Sequence, residues 1–138
     1  TYEIKNILPT PKYVFEYDDY YLINKKGEKV GNTYRRIGYA VGNYYVATID
    51  NNIKVIINDK GKELVKAESI DIDEVKEDNY YAILKHSDDT YAVYDLKKKK
   101  EIIRLDSKPS LREHYFKTSK NDKVQYYSYK KGKLFHEA

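Results

Sequence analysis

The chain contains no cysteine, no methionine and no tryptophan, and only six glycines and three prolines in 138 residues. Without cysteine there is no disulfide, no thiol nucleophile and no Cys-ligated zinc or iron–sulfur centre. Six glycines leave no glycine-rich loop to cradle a phosphate. Long apolar runs are missing too. The longest, Tyr80–Leu84, falls far short of the roughly 20 residues a helical membrane span needs. No signal peptide or lipidation motif is present. Because Met is absent even at position 1, we expect an excised or processed piece of a longer chain. Helical periodicity is also scarce: no window of about 11 residues or more sustains it, and the best short stretch is Asp73–Asp78.

What the chain does have is tyrosine. Seventeen of them raise the aromatic share to 14%, which argues against disorder although 35% of residues are charged. A chain of this length can bury roughly two-thirds of its unfolded surface, so one domain can fold without staples. Lys and Arg number 26 against 22 Asp and Glu, a net +4. That mild excess does not by itself imply a nucleic-acid partner. Only Arg35, Arg36, Arg104 and Arg112 are arginine, and Asn, Ile and Tyr are abundant. These are residues with AT-rich codons, so we expect an AT-rich bacterial genome, which supplies lysines whether or not a ligand needs them.

The chain repeats itself. An apolar stretch (Tyr13–Phe15, Tyr44–Ala47, Tyr80–Leu84, Tyr115-Phe116) leads into an Asp/Asn turn: Asp18-Asp19, Asn51-Asn52, Asp88-Asp89, Asn121-Asp122. A second apolar stretch (Tyr21–Ile23, Val55–Ile57, Ala92–Tyr94, Tyr126-Tyr127) leads into a second turn: Asn24–Gly27, Asn58–Gly61, Asp95–Lys98, Tyr129–Gly132. The first turns lie 33, 37 and 33 residues apart and the second 34, 37 and 34. Two markers with one period signal a repeat architecture. Asp and Asn tolerate left-handed backbone and bond their own main chain, which suits hairpin turns. The Asx-x-Lys-Gly turns predict a type I turn closed by a left-handed glycine; Lys98 stands where the third unit lacks it, so a different or strained turn is expected there.

Short runs rich in Val, Ile and Tyr predict strands. Each unit has three, a, b and c, with c at Glu28–Val30, Glu63–Val65, Glu101–Ile103 and Leu134-Phe135. A fourth, d, is expected at Arg35–Val41, Ser69–Val75 and Ser110–His114, and Tyr2–Leu8 reads as another copy of d. The fold class expected is therefore all-β: four antiparallel hairpin repeats of about 35 residues, forming a small four-bladed propeller-like ring or an open β-repeat array. The units run approximately 1–33, 34–67, 68–108 and 109–138 of a single repeat domain. In a ring, the leading d strand would complete the last blade and remove the open edges.

Asp78–Ile103, Tyr21–Val30 and Val55–Leu64 resemble a degenerate WG-type (KWG) bacterial repeat. That family shows an apolar strand, a Trp-Gly pair, Ile-Asp, Lys-x-Gly-Lys and an apolar tail. Here Tyr20-Tyr21, Lys54-Val55, Tyr91-Ala92 and Gln125-Tyr126 stand at the Trp-Gly positions. The resemblance runs from about Tyr13 to Phe135. It implies all-β repeats, a bacterial cell-surface or secreted location, and no catalytic residues to carry over.

Two sets of side chains are candidates for binding. The second turns concentrate Lys25, Lys26, Lys60, Lys62, Lys97, Lys98, Lys99, Lys100, Lys130 and Lys131. Stacked in register, they make one basic rim able to hold an anionic polymer such as a cell-wall polymer, nucleic acid or a lipid headgroup. The first turns would form an acidic rim. The plainer account is that turns are solvated and lysine is this genome's default polar residue. Tyrosine pairs recur at Tyr20-Tyr21, Tyr44-Tyr45, Tyr80-Tyr81 and Tyr126-Tyr127. Neighbours on a strand point to opposite faces, so one ring of each pair is expected outward. Tyr20, Tyr44, Tyr80 and Tyr126 are the candidates for contact with a protein partner; alternatively all the rings cover repeat interfaces. His86, His114 and His136 fall at different repeat positions, and no His-Glu-x-x-His or Gly-x-Ser-x-Gly pattern occurs. Asp50–Asn52 and Asp88-Asp89 lack calcium-loop spacing. No catalytic residue, metal ligand or cofactor is therefore expected, and a non-catalytic interaction module is.

Overall fold

The structure, a computed structural model, describes the backbone of residues 3–7 and the whole of residues 19–138. Fifteen strands form four antiparallel sheets, and no helix occurs among the described residues. The first sheet is β1 (Glu3–Ile7), β2 (Asp19–Ile23) and β3 (Lys29–Tyr34). The second is β4 (Arg36–Ile37), β5 (Tyr44–Asp50), β6 (Ile53–Asn58) and β7 (Glu63–Ala67). The third is β8 (Ser69–Lys76), β9 (Asn79–Lys85), β10 (Tyr91–Asp95) and β11 (Lys100–Leu105). The fourth is β12 (Ser110–Leu111), β13 (Phe116–Lys120), β14 (Lys123–Tyr127) and β15 (Leu134–Glu137). In each sheet spatial order follows chain order. Among the described residues no helix is long and apolar enough to cross a membrane.

The turns form as their chemistry requires. Gly27 N–H donates to Asn24 C=O at 2.9 Å and Asn24 N–H to Glu28 C=O at 3.0 Å. Asn24 Oδ1 accepts the amides of Lys26 and Glu28, which fixes the bend from inside. Asn58 repeats every contact with Lys60, Gly61 and Lys62. Gly27 and Gly61 sit at φ +79° and +78°, the left-handed region that glycine enters without a Cβ penalty. The third bend is different, as Lys98 foretold. Its left-handed residue is Lys99, at φ 57°, and Asp95 Oδ1 accepts the amides of Lys97 and Lys98. The fourth closes Ser128 onto Lys133 and needs two left-handed residues, Lys131 and Gly132. At the opposite end of the fourth sheet, Asn121 and Asp122 both take positive φ and join β13 to β14 by a two-residue hairpin.

One candidate helix proves to be strand, one strand pairs otherwise than a closed ring requires, and one expected strand lies outside the described residues. Asp73–Asp78 is not helical: Asp73–Lys76 finish β8, and the chain turns at Asp78, left-handed at φ 62°. Alternation of Ile70 and Ile72 with acidic neighbours matches the strand period and outweighs the helical pattern. The leading d strand does not complete the last sheet. β1 pairs with β2 in the first sheet, Glu3 opposite Ile23 through Ile7 opposite Asp19, and the fourth sheet has its own d strand in β12. Each later d strand pairs with the a strand that follows it, because the short hairpin between them leaves β8 lying against β9. The expected strand Tyr13–Phe15 and Asp18 of the first turn lie outside the described residues.

The chain divides into two compact units, Thr1–Lys66 and Ala67–Ala138. In the first, Leu22, Tyr34, Ile37, Tyr45, Ala47, Val55 and Ile57 form the apolar cluster that joins the first sheet to the second. In the other, Val93, Leu105, Phe116 and Tyr127 join the third to the fourth. Tyrosine hydroxyls enter these clusters. Tyr34 is buried and donates to Glu63 Oε2 at 2.7 Å. Burial, then the Glu63 bond and charge, push its pKa up. Burial raises Tyr45, Tyr81, Tyr94, Tyr127 and Tyr129 in the same direction. An unfolded tyrosine releases its proton near pH 10. Above that pH the folded state holds protons the unfolded state has lost. Stability should therefore be insensitive to these groups below about pH 9 and decline above about pH 10. Urea midpoints measured across that range check this, and Tyr34→Phe should make the decline shallower.

Candidate functional site

In the second, third and fourth sheets the antiparallel order puts the basic b–c bend and the a–b turn at opposite ends. All ten candidate lysines are exposed, and among the described residues none forms a salt bridge. Four of the residues singled out by sequence come together. Tyr80, Lys97, Lys98 and Lys130 line a cleft of about 500 Å³ between the bends of the third and fourth sheets. Tyr81 and Tyr129 also line it, stacked with centroids 4.3 Å apart and planes at 28°. Tyr129 Oη donates to Arg112 C=O at 2.5 Å, and burial raises its pKa. Asp95 is buried at the edge of the cleft, with its carboxylate engaged by the two backbone amides of the bend. Three ammonium groups beside an aromatic wall suit an anion that carries a ring or sugar to rest on tyrosine. Lys99, Lys100 and Lys131 stand on the same bends but do not line the cleft. Lys25 and Lys26 occupy the bend of the first sheet, and Lys60 and Lys62 that of the second.

The acidic turns act as turn formers. Asp88 Oδ1 accepts Thr90 Oγ1 at 2.6 Å and Thr90 N–H at 3.1 Å, which lowers the Asp88 pKa.

Facing separates the tyrosine pairs. They lie on b strands in the first and fourth sheets and on a strands in the second and third. Tyr20 is not an outward ring; it packs with Leu22 against the first cluster, and Tyr21 lies on the other face with Lys29 Nζ 5.7 Å from its ring centre. Tyr45, Tyr81 and Tyr127 take the core positions of the other pairs. Tyr44, Tyr80 and Tyr126 are half-buried.

Tyr126 belongs to a surface cluster. Its ring centre lies 5.6 Å from Tyr115, 5.4 Å from His136 and 6.4 Å from Phe135. Phe135 is 58% exposed and Leu134 beside it 43%. β15 is an edge strand and all four of its residues are exposed. Tyr115, Phe135 and His136 are not among the residues the sequence nominates. Their one sequence signal is the register counted back from each bend. Two residues before Asn24 and Asp95 stand Leu22 and Val93, which face the next sheet in their unit. One residue before Asn58 and Ser128 stand Ile57 and Tyr127, which face the preceding sheet. Tyr126 lies two before Ser128, on the side where a following sheet would pack.

No family model matches the chain, and no curated protein matches it. Among solved structures, BamB from Moraxella catarrhalis is similar over 86% of this chain and 46% of its own, with 6% identity and a TM-score of 0.45. The 644–1017 segment of HIRA is similar over 97% of this chain and 48% of its own, with 12% identity and a TM-score of 0.49. The chain thus spans about half the length of either structure.

Proposed function

We propose that the chain is a non-catalytic interaction module that contacts a protein partner through the aromatic face of its fourth sheet. We take its units to be degenerate WG-type repeats. The observation that carries the proposal is the Tyr115–Tyr126–Phe135–His136 cluster, with Phe135 58% exposed on an edge strand. Amphipathic rings with their apolar sides gathered on one face are the residues that anchor protein interfaces. A photo-crosslinking amino acid placed at position 126 should give a protein adduct in cells that produce the chain. The same group at Tyr39, which is 96% exposed and outside the face, should give none. No adduct, or equal adducts from both positions, rejects the proposal.

The lysines of the cleft favour a second reading, the binding of an anionic polymer at the b–c bends. Lys97, Lys98 and Lys130 converge from two sheets, and among the described residues no carboxylate pairs with them. On a heparin column, Lys97→Glu with Lys98→Glu should elute at markedly lower salt than the unaltered chain, because each lost phosphate- or sulfate-type contact reduces the salt slope by about one. Unchanged elution rejects this reading and leaves the first untouched.

A further inference from the structure

We infer that the cleft between the bends of the third and fourth sheets binds a single phosphate monoester carried on a ring, as in a nucleotide or a sugar phosphate, and not the interior of a polymer. It rests on the anion-binding reading of the b–c bends, and it concerns the second unit alone. Size comes first. A volume of about 500 Å³ falls within the roughly 300–1,000 Å³ of small-molecule sites. Of the ten candidate lysines only Lys97, Lys98 and Lys130 line it. Lys99, Lys100 and Lys131 stand on the same bends but outside the cleft, so the lysines that share one cavity are these three.

Charge then selects the anion. Three ammonium groups and the Asp95 carboxylate give the lining a net +2. A phosphate monoester carries about −1.5 to −2 near neutral pH, whereas each diester inside a chain carries about −1. Asp95 is committed elsewhere: its side chain is buried, and Oδ1 accepts the amides of Lys97 and Lys98. The three lysines are exposed, and among the described residues no carboxylate pairs with them. The rest of the lining is aromatic. Tyr81 and Tyr129, stacked at 4.3 Å, form a wall on which a base or a sugar ring can rest. That wall is preformed, because Tyr129 is held by its bond to Arg112 C=O and by contact with Phe116. Burial and the Asp95 charge keep the Tyr81 hydroxyl protonated, so the wall adds no negative charge of its own.

Amide chemical-shift titrations of the whole chain read this directly at Asn79–Tyr81, Lys97-Lys98 and Tyr129-Lys130. The probes are AMP, a hexose phosphate, cyclic AMP, adenosine and inorganic phosphate. AMP or the hexose phosphate should shift these amides saturably. Cyclic AMP keeps the base and ribose but exchanges the monoester for a diester. It and adenosine should bind at least about tenfold more weakly than AMP, the scale of one charge-assisted contact. Inorganic phosphate, which lacks the ring, should lose a similar factor. Lys98→Gln and Lys130→Gln, both at exposed positions, should each weaken binding about tenfold. Lys100→Gln, on the same bend as Lys98 but outside the cleft, should leave it unchanged. Tighter binding of AMP assigns the ring to a nucleotide, tighter binding of the hexose phosphate to a sugar, and equal binding to either; all three uphold the inference. No saturable shift with either monoester, cyclic AMP or inorganic phosphate binding as well as the better of the two, or Lys100→Gln acting like Lys98→Gln overturns it. The heparin column keeps the two readings apart. If Lys97→Glu with Lys98→Glu elutes early while no monoester binds, anion capture at the bends stands and the monoester site falls. Unchanged elution with AMP bound removes the polymer and leaves the cleft.

Discussion

Gly61→Ala should destabilise the chain by about 3 kcal/mol or more, whereas Gly27→Ala should cost only about 1 kcal/mol. Both glycines close equivalent bends at nearly the same left-handed φ, so the strain of adding a Cβ to that backbone is common to both. Their surroundings differ. A Cβ on Gly27 meets nothing within 4 Å. On Gly61 it would lie 2.7 Å from Gly31 Cα, 2.8 Å from Gly31 N and 2.9 Å from Val30 O. Those are backbone atoms of β3, so no side-chain rotation relieves the clash, and the first and second sheets must separate. Gly31→Ala should act alike, since its Cβ would approach Gly61 Cα and O to 2.8 Å. The double variant should cost less than the sum, because one separation relieves both clashes. Urea midpoints of the four variants check this. A Gly61→Ala penalty no larger than that of Gly27→Ala would show that the sheets do not meet there.

Phe116→Ala should remove about 3–5 kcal/mol, the usual range for truncating a fully buried aromatic. Phe116 is completely enclosed, stacked on Tyr127 at 5.3 Å and tilted against Tyr129 at the same distance. Its ring bridges the two sheets of the second unit and supports Tyr129, which forms a wall of the lysine cleft. Phe135→Ala, one strand pair away, should change stability by less than about 0.5 kcal/mol, because that ring is largely in water already. Amide hydrogen exchange of β13 and β14 distinguishes the two variants: Phe116→Ala should lower their protection and Phe135→Ala should not. Equal effects from both would mean that the cluster around Phe116 does not carry the packing of this unit.

These two experiments probe different layers of information. The bends were legible from composition and spacing because their chemistry is local. Asn24 and Asn58 build their turns with bonds to residues two and four positions on, and Gly27 and Gly61 supply the one conformation those turns need. The strand b runs were legible for the same reason, since β-branched and aromatic residues between turn formers leave little alternative to a strand. Lys98 announced an exception, and Lys99 shows how the chain met it.

Facing was harder to read. Tyr20-Tyr21 and Tyr44-Tyr45 look alike as dipeptides but belong to different strands, so Tyr20 turns inward with Leu22 while Tyr45 does so in the second pair. A shift of one residue exchanges the two faces, and only pairing across the sheet fixes that register. The aromatic cluster on the fourth sheet needs β13, β14 and β15 side by side before Tyr115, Tyr126 and His136 become neighbours. The lysine cleft likewise needs two bends 33 residues apart, at Lys97 and Lys130, to meet.

By itself, then, the amino-acid order determined the period, the all-β class, the bends and the charge at each end of the sheets, because each depends on bonds within a few residues. Tertiary structure alone decided which strand joins which sheet, which tyrosines are core and which are surface, and which lysines share a cleft. Those outcomes depend on groups brought together from distant parts of the chain, and no local preference distinguishes one face of a strand from the other until its neighbours are in place.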